Sequence, residues 1–188
     1  PAEYHSQSAI EAVLAMRSEI GGRKIRSIHI GSFEAAVSII GSEPEKWRPT
    51  SRETADHSMA YCVAVAIIDG DVTLSSFDEG RLGDPKILCL MDKTKITEEP
   101  ELNERYPKGI PNHVTITLED GSTLDNRVDY PRGHNLNPMT DDEVVAKFRR
   151  LAAGVVSDAV AERILTAAWK LDELTDLAEI TSFEVLDK

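Results

Sequence analysis

Residues 49–70 read PTSRETADHSMAYCVAVAIIDG, a polar entry followed by the longest apolar-rich run in the chain. From Met59 to Ile68 almost every residue is apolar, so a helix here is covered on most of its surface and needs other elements packed round it. Thr50 and Glu53 have the spacing of a capping box, in which each side chain satisfies a free backbone N–H. One helix is therefore predicted, beginning near Ser51 and stopping at Gly70. Along it Glu53, His57 and Tyr61 fall on one face. Imidazole titrates near neutral pH and serves as acid or base, and a phenol can donate a hydrogen bond to a carboxylate. The competing reading of the same row is a satisfied core histidine and a packed tyrosine.

The chain has 188 residues, 41% of them hydrophobic and 29% charged. That fits one domain, or one and a fraction, with a core that needs no disulfide or metal. A net charge of −12 disfavours a nucleic-acid surface, which requires clustered Lys and Arg. No apolar run approaches the roughly 18 residues of a spanning helix, and no signal-peptide pattern opens the chain. The expectation is no membrane partner and a cytoplasmic protein. Cys62 and Cys89 lie in apolar helical contexts without CxxC spacing. They read as buried reduced thiols and cannot alone ligate an iron–sulfur cluster. No metal and no cofactor are expected. The chain opens at Pro1 and enters a helix pattern within a few residues, which points to a fragment or a processed chain.

Outward from the central run, Ser8 and Glu11 suggest a second capping box, with a helix ended by Gly21-Gly22. Residues 25–33 read as an imperfectly alternating strand, 34–40 as a short helix and 41–49 as a loop. Asp84-Pro85 opens a helix to about Lys93 that buries Ile87, Leu88 and Leu90. Lys95–Thr97 begins a strand. The acidic stretch 98–104 reads as solvated loop. His113–Leu118 and Thr123–Tyr130 alternate about the turn Glu119-Asp120-Gly121-Ser122, a hairpin. Thr140 with Glu143, and then Ser157, cap two further helices. Strands and helices mix before Pro138 and only helices follow, which marks a candidate domain boundary.

Three stretches in order resemble the MmgE/PrpD family, whose members include 2-methylcitrate dehydratase and its decarboxylase and epimerase relatives. They are PAEYHSQSAIEA at the start, ETADHSMAYCVAVAIIDG with Val72, Thr73 and Phe77 after it, and VTITLEDGSTLDNRVDYPRGHNLNPMT with Lys147-Phe148 beyond. The resemblance implies an α+β fold. Residues 1–138 would form a small two-layer α/β sandwich with a mixed or antiparallel sheet. Residues 139–188 would be C-terminal helices of an otherwise missing all-helical domain. It implies an active site in the cleft between the domains, so that other catalytic groups, among them a lysine just before this proline in some relatives, precede Pro1. Helices at 140–172 would then expose apolar faces and favour self-association, and a homodimer is implied by the resemblance alone.

The implied activity is that of a hydro-lyase in propionate metabolism. It would dehydrate 2-methylcitrate or a similar hydroxy-polycarboxylate by cofactor-free acid–base catalysis, with this chain inactive on its own. A decarboxylase or epimerase acting on a related di- or tricarboxylate is the alternative within the family. A non-catalytic α+β interaction or dimerisation module is the alternative outside it. Dehydration needs a base for the proton α to a carboxylate, an acid for the departing hydroxide and donors for the carboxylates. His57 and then His5 are the catalytic candidates, with Glu3, Gln7, Tyr61, Arg52 and His134 as substrate-binding candidates. Decarboxylase-type relatives carry His where this chain has Glu3, which favours the dehydratase side. His29 and His113, in strand patterns, read as structural.

Overall fold

Residues 1–186 are described in a computed structural model, and they divide into two units, 1–137 and the residues from 138 onward. In the first unit a 3-10 turn (Tyr4–Ser6) runs into α1 (Gln7–Ile20), followed by β1 (Ile25–Ser32) and α2 (Glu34–Ala36), which widens into a π turn (Val37–Gly41). A 3-10 turn (Pro44–Trp47) leads to α3 (Arg52–Asp56) and α4 (Met59–Asp69). Another 3-10 turn (Leu74–Phe77), α5 (Glu79–Leu82) and α6 (Pro85–Asp92) precede β2 (Thr94–Glu98). The unit closes with α7 (Pro100–Asn103) and the hairpin β3 (Asn112–Leu118) and β4 (Thr123–Val128).

The four strands form one mixed sheet in the order β2-β1-β3-β4, with β1 and β2 parallel and the other pairs antiparallel. This is the expected α+β architecture. Alternation along β3 buries Asn112, Val114, Ile116 and Leu118 and leaves His113, Thr115 and Thr117 half-buried on the other face. β1 alternates imperfectly because its register against β3 shifts between Ile25 and Ser27, so Arg26 and Ser27 are both exposed between the buried Ile25 and Ile28. On the apolar face α1 crosses β3 and β4, α6 lies near β1, and α4 packs between α1 and α6. Met59 through Ala66 are all buried, as the apolar run demands. Gly70 ends α4 in the left-handed region (φ 78°), where a residue without Cβ is unstrained.

The single helix expected over 51–70 is two helices. Ser58 adopts an extended conformation (φ −113°, ψ 108°), and its Oγ accepts the Tyr61 N–H at 3.2 Å while donating to the Lys46 carbonyl at 2.5 Å. A serine that can cap the turn ahead of it competes with helix continuation, and here it wins. The start also moves: Ser51, not Thr50, is the cap, accepting from the Thr54 N–H. Ser8 and Glu11 do not form a box either. The buried Ser8 hydroxyl donates to the Ile110 carbonyl, and Glu11 accepts the Arg132 N–H at 2.6 Å. In α6 the buried stripe is Ile87 and Met91. Leu88 and Leu90 are half-buried, and Cys89, expected inside, is exposed because it faces away from that stripe. The stretch expected to be a solvated acidic loop contains α7, anchored by the fully buried Leu102.

In the second unit α8 (Asp141–Ala152) opens with the Thr140–Glu143 capping box in full, and Ser157 caps α9 (Asp158–Ala168). Asp141, Asp142 and Glu143 sit at the positive end of α8. Arg149 grips Glu162 with two bonds, of 2.6 and 2.8 Å, joining the two helices. A 3-10 turn (Leu171–Glu173) and α10 (Ala178–Thr181) follow. Val144, Leu151, Val155, Trp169 and Leu171 are exposed. Among the described residues no helix is long and apolar enough to cross a membrane.

Candidate active site

The ends of β1, β2 and β4, the start of β3, the N-terminal turn and the junction of α3 with α4 meet at one end of the sheet. Backbone bonds tie them together: Glu99 N–H to the Ser32 carbonyl at 2.8 Å, Ile110 N–H to Asp129 at 2.9 Å, and Glu3 N–H to Asp56 at 2.9 Å.

His5 is fixed here from several sides. One Glu3 oxygen accepts the backbone N–H of His5 at 2.7 Å, and the other lies 3.0 Å from its Nδ1. The second contact is close but poorly directed, so the buried Nδ1 has no hydrogen-bond partner among the described residues. The Asn112 amide donates to the His5 carbonyl and to Ser8 Oγ, each at 2.7 Å. The imidazole packs edge-on against Phe33 (5.2 Å) and Tyr106 (5.8 Å), which stack on each other at 4.6 Å. Its side chain is 14% exposed and that of Glu3 15%, so the pair is largely removed from water. Two neighbouring buried atoms, Ser32 Oγ and Asn112 Oδ1, have no partner among the described residues.

His57 ends α3, and its Nδ1 lies 2.5 Å from Asp56 Oδ1 and 3.0 Å from the Glu53 carbonyl. The break at Ser58 separates it from the row expected with Tyr61. Tyr61 is completely buried, and its hydroxyl donates to the Ser76 carbonyl at 2.7 Å. Burial pushes the Tyr61 phenol up to about 12. The structure places Tyr61 in the core, away from the role of a substrate donor. Cys62 beside it is likewise buried and, by burial first and then Asp56, pushed up to about 12, an inert thiol.

Gln7 is the half-buried first residue of α1, next to His5. Arg52 is exposed in the first turn of α3. His134 lies in the loop after β4, its Nδ1 accepting the Leu136 N–H at 3.1 Å and its ring 5.1 Å from Tyr130. Sequence reasoning missed Asp56, Asn112, Phe33 and Tyr106. Asn112 carried a signal, since alternation assigns position 112 to the apolar face, where a polar residue requires partners. Phe33 and Tyr106 are brought together only by the fold. Among the described residues no group of three or more His, Cys, Asp or Glu side chains is placed to hold a metal ion.

On the opposite, polar face of the sheet, His113 sits between Asp125 (2.5 Å) and Glu99 (3.4 Å). Gly31, the cross-strand partner of His113, makes room: a Cβ there would lie 1.9 Å from Glu99 Oε1. Burial disfavours the imidazolium, but the bond to Asp125 and the charges of Asp125 and Glu99 outweigh it, so His113 is raised above its ordinary value of 6.5. Arg127, opposite His113 on β4, is committed to Asp129 and Glu101. A histidine raised on folding contributes stability that is complete below its unfolded value and is lost as pH climbs through the folded one. Urea midpoints should therefore fall as pH rises above about 6.5, and His113→Gln should remove that slope. A wild-type slope that survives in the variant would assign it to another group.

Residues 1–173 match the MmgE/PrpD C-terminal domain. The chain is 31% identical over 194 residues to the mitochondrial 2-methylcitrate dehydratase of Yarrowia lipolytica, covering 94% of this chain and 37% of that protein. It is 34% identical over 144 residues to the 2-methylcitrate dehydratase of Cupriavidus necator (71% and 29%). It is 29% identical over 133 residues to the cis-aconitate decarboxylase of Mus musculus (71% and 27%). The chain spans roughly a third of the length of these curated relatives, 37%, 29% and 27% in turn. With its C-terminal-domain match running through nearly the whole sequence, the chain belongs to the MmgE/PrpD family.

Proposed function

We propose that this chain contributes half of the active site of a hydro-lyase that dehydrates 2-methylcitrate or a closely similar hydroxy-polycarboxylate. The observation that carries the reading is the pairing of two imidazoles with two carboxylates, His5 with Glu3 and His57 with Asp56, on segments joined by the Glu3–Asp56 backbone bond. Asp56 bonds the Nδ1 side of His57, and Glu3 lies 3.0 Å from Nδ1 of His5, so in each pair the carboxylate sits on the Nδ1 side and Nε2 is the nitrogen left for a reactant. His5, the more enclosed, serves as the base. Its Nε2 takes the proton α to a carboxylate, and the C–H electron pair becomes the new C=C bond. The β C–O bond breaks, and His57 supplies the proton that lets hydroxide leave as water. Substrate becomes alkene plus water, with no net change in redox state. Enclosure of His5 by Phe33 and Tyr106 strengthens each charge interaction by lowering the local dielectric.

Both dehydratases and decarboxylases are among the relatives that this chain is similar to, and the choice between them rests on the family resemblance, in which decarboxylase-type members carry His where this chain has Glu3. The deciding experiment follows 2-methylcitrate by proton NMR with the full-length gene product. Formation of the alkene supports the reading. Release of carbon dioxide from cis-aconitate, with no alkene from 2-methylcitrate, replaces it with the decarboxylase.

A further inference from the structure

We propose that Tyr106 is a substrate-binding residue of the same site, its hydroxyl donating a hydrogen bond to a carboxylate of the polycarboxylate that His5 deprotonates. The inference rests on the hydro-lyase reading above and adds to it a residue from a segment that reads in sequence as loop. Tyr106 is 73 positions from Phe33 and 101 from His5 in the chain, yet its ring stacks on the first at 4.6 Å and meets the edge of the second at 5.8 Å. It is 38% exposed, so one side of it is open. No described residue bonds its hydroxyl, whereas the buried Tyr61 commits its own to Ser76. A phenol held against a catalytic imidazole, with its polar end unclaimed, is a donor awaiting an acceptor.

The segment that carries it is built to hold a position. Its start is bonded to β1 through Glu99 N–H and Ser32, and Leu102 is buried beneath it. Arg105 pairs with Asp129 at 3.0 Å, and the Gly109 N–H closes back on the Arg105 carbonyl at 2.8 Å. Gly109 approaches so closely that a Cβ there would lie 2.9 Å from the Asp129 carbonyl and 3.1 Å from the Tyr130 ring. With Glu3 and Asp56 already beside the two histidines, a neutral donor gives a substrate carboxylate a partner without a second charge to desolvate. A polycarboxylate offers several such acceptors at once.

The test compares wild type with Tyr106→Phe in the full-length gene product, using citrate as the probe and the His5 imidazole resonances as the readout, alongside 2-methylcitrate kinetics. Citrate is expected to shift His5 in both proteins, with affinity at least tenfold weaker in the variant, as for loss of a hydrogen bond to a charged group. The variant should raise KM more than it lowers kcat, and its Tm should stay at the wild-type value because the hydroxyl has no protein partner to lose. Equal citrate affinity and equal KM in the two proteins overturn the role of Tyr106 and leave the hydro-lyase reading standing. Absence of any citrate effect on His5 in the wild type, with no turnover, overturns the reading itself and this inference with it. Tyr106→Ala separates packing from donation: a purely structural tyrosine loses Tm in the alanine variant and nothing in the phenylalanine one.

Discussion

His5→Gln lowers kcat for 2-methylcitrate dehydration by about 10²–10⁴-fold in the full-length gene product, the range for losing a positioned general base. The size follows from how His5 is held. Its N–H rests on the Glu3 carboxylate, its carbonyl on the Asn112 amide, and its ring between Phe33 and Tyr106. Few degrees of freedom remain to be organised in the transition state. Glutamine keeps a polar side chain of similar reach and leaves the Glu3 and Asn112 bonds to the backbone in place, so folding by circular dichroism should be retained. Glu3→Gln should cost less, because it keeps an acceptor for the His5 N–H and removes only the charge beside Nδ1. A His5→Gln enzyme with more than a tenth of the wild-type kcat would remove His5 from proton transfer and leave His57 as the sole candidate.

The elements legible in the sequence are those fixed by local chemistry. The alternation of 113–118 places β3, Asp84-Pro85 starts α6, Thr140 with Glu143 starts α8, and Gly70 ends α4. Local signals mislead where a side chain finds a stronger tertiary partner than the local one. Ser58 prefers the Lys46 carbonyl and the Tyr61 N–H to a place inside a helix, and Ser8 and Glu11 are drawn to Ile110 and Arg132. For the site, short-range pairs such as Glu3 with His5 are visible from spacing. Asn112 is visible from strand polarity. The Phe33–Tyr106 stack is visible only once β1 and the 99–109 segment are known to meet. The row of Glu53, His57 and Tyr61 is coherent only where helical periodicity runs on across Ser58, and the Ser58 side chain stops it by capping α4.

That correction makes Tyr61 the position of largest expected effect on stability. Tyr61→Ala should cost about 3–5 kcal/mol, the range for truncating a large buried aromatic side chain. The ring is fully buried in α4, 6.0 Å from Phe77, and the neighbouring helix residues are buried as well, so the vacated space has little means of collapsing. Tyr61→Phe isolates the hydroxyl. It keeps the ring and strands the Ser76 carbonyl, at an expected cost of about 1–3 kcal/mol. Because burial holds the phenol near 12, no ionised form contributes at neutral pH, and the loss should be the same across pH 6–8. Urea denaturation of the two variants gives both numbers. For dehydration, Tyr61→Phe should leave kcat within about twofold of wild type at a temperature where the fold is intact, since the hydroxyl points to Ser76 and not to His5 or His57. A hundredfold loss of kcat without loss of stability would return Tyr61 to the active site, and with it the row that Ser58 divides.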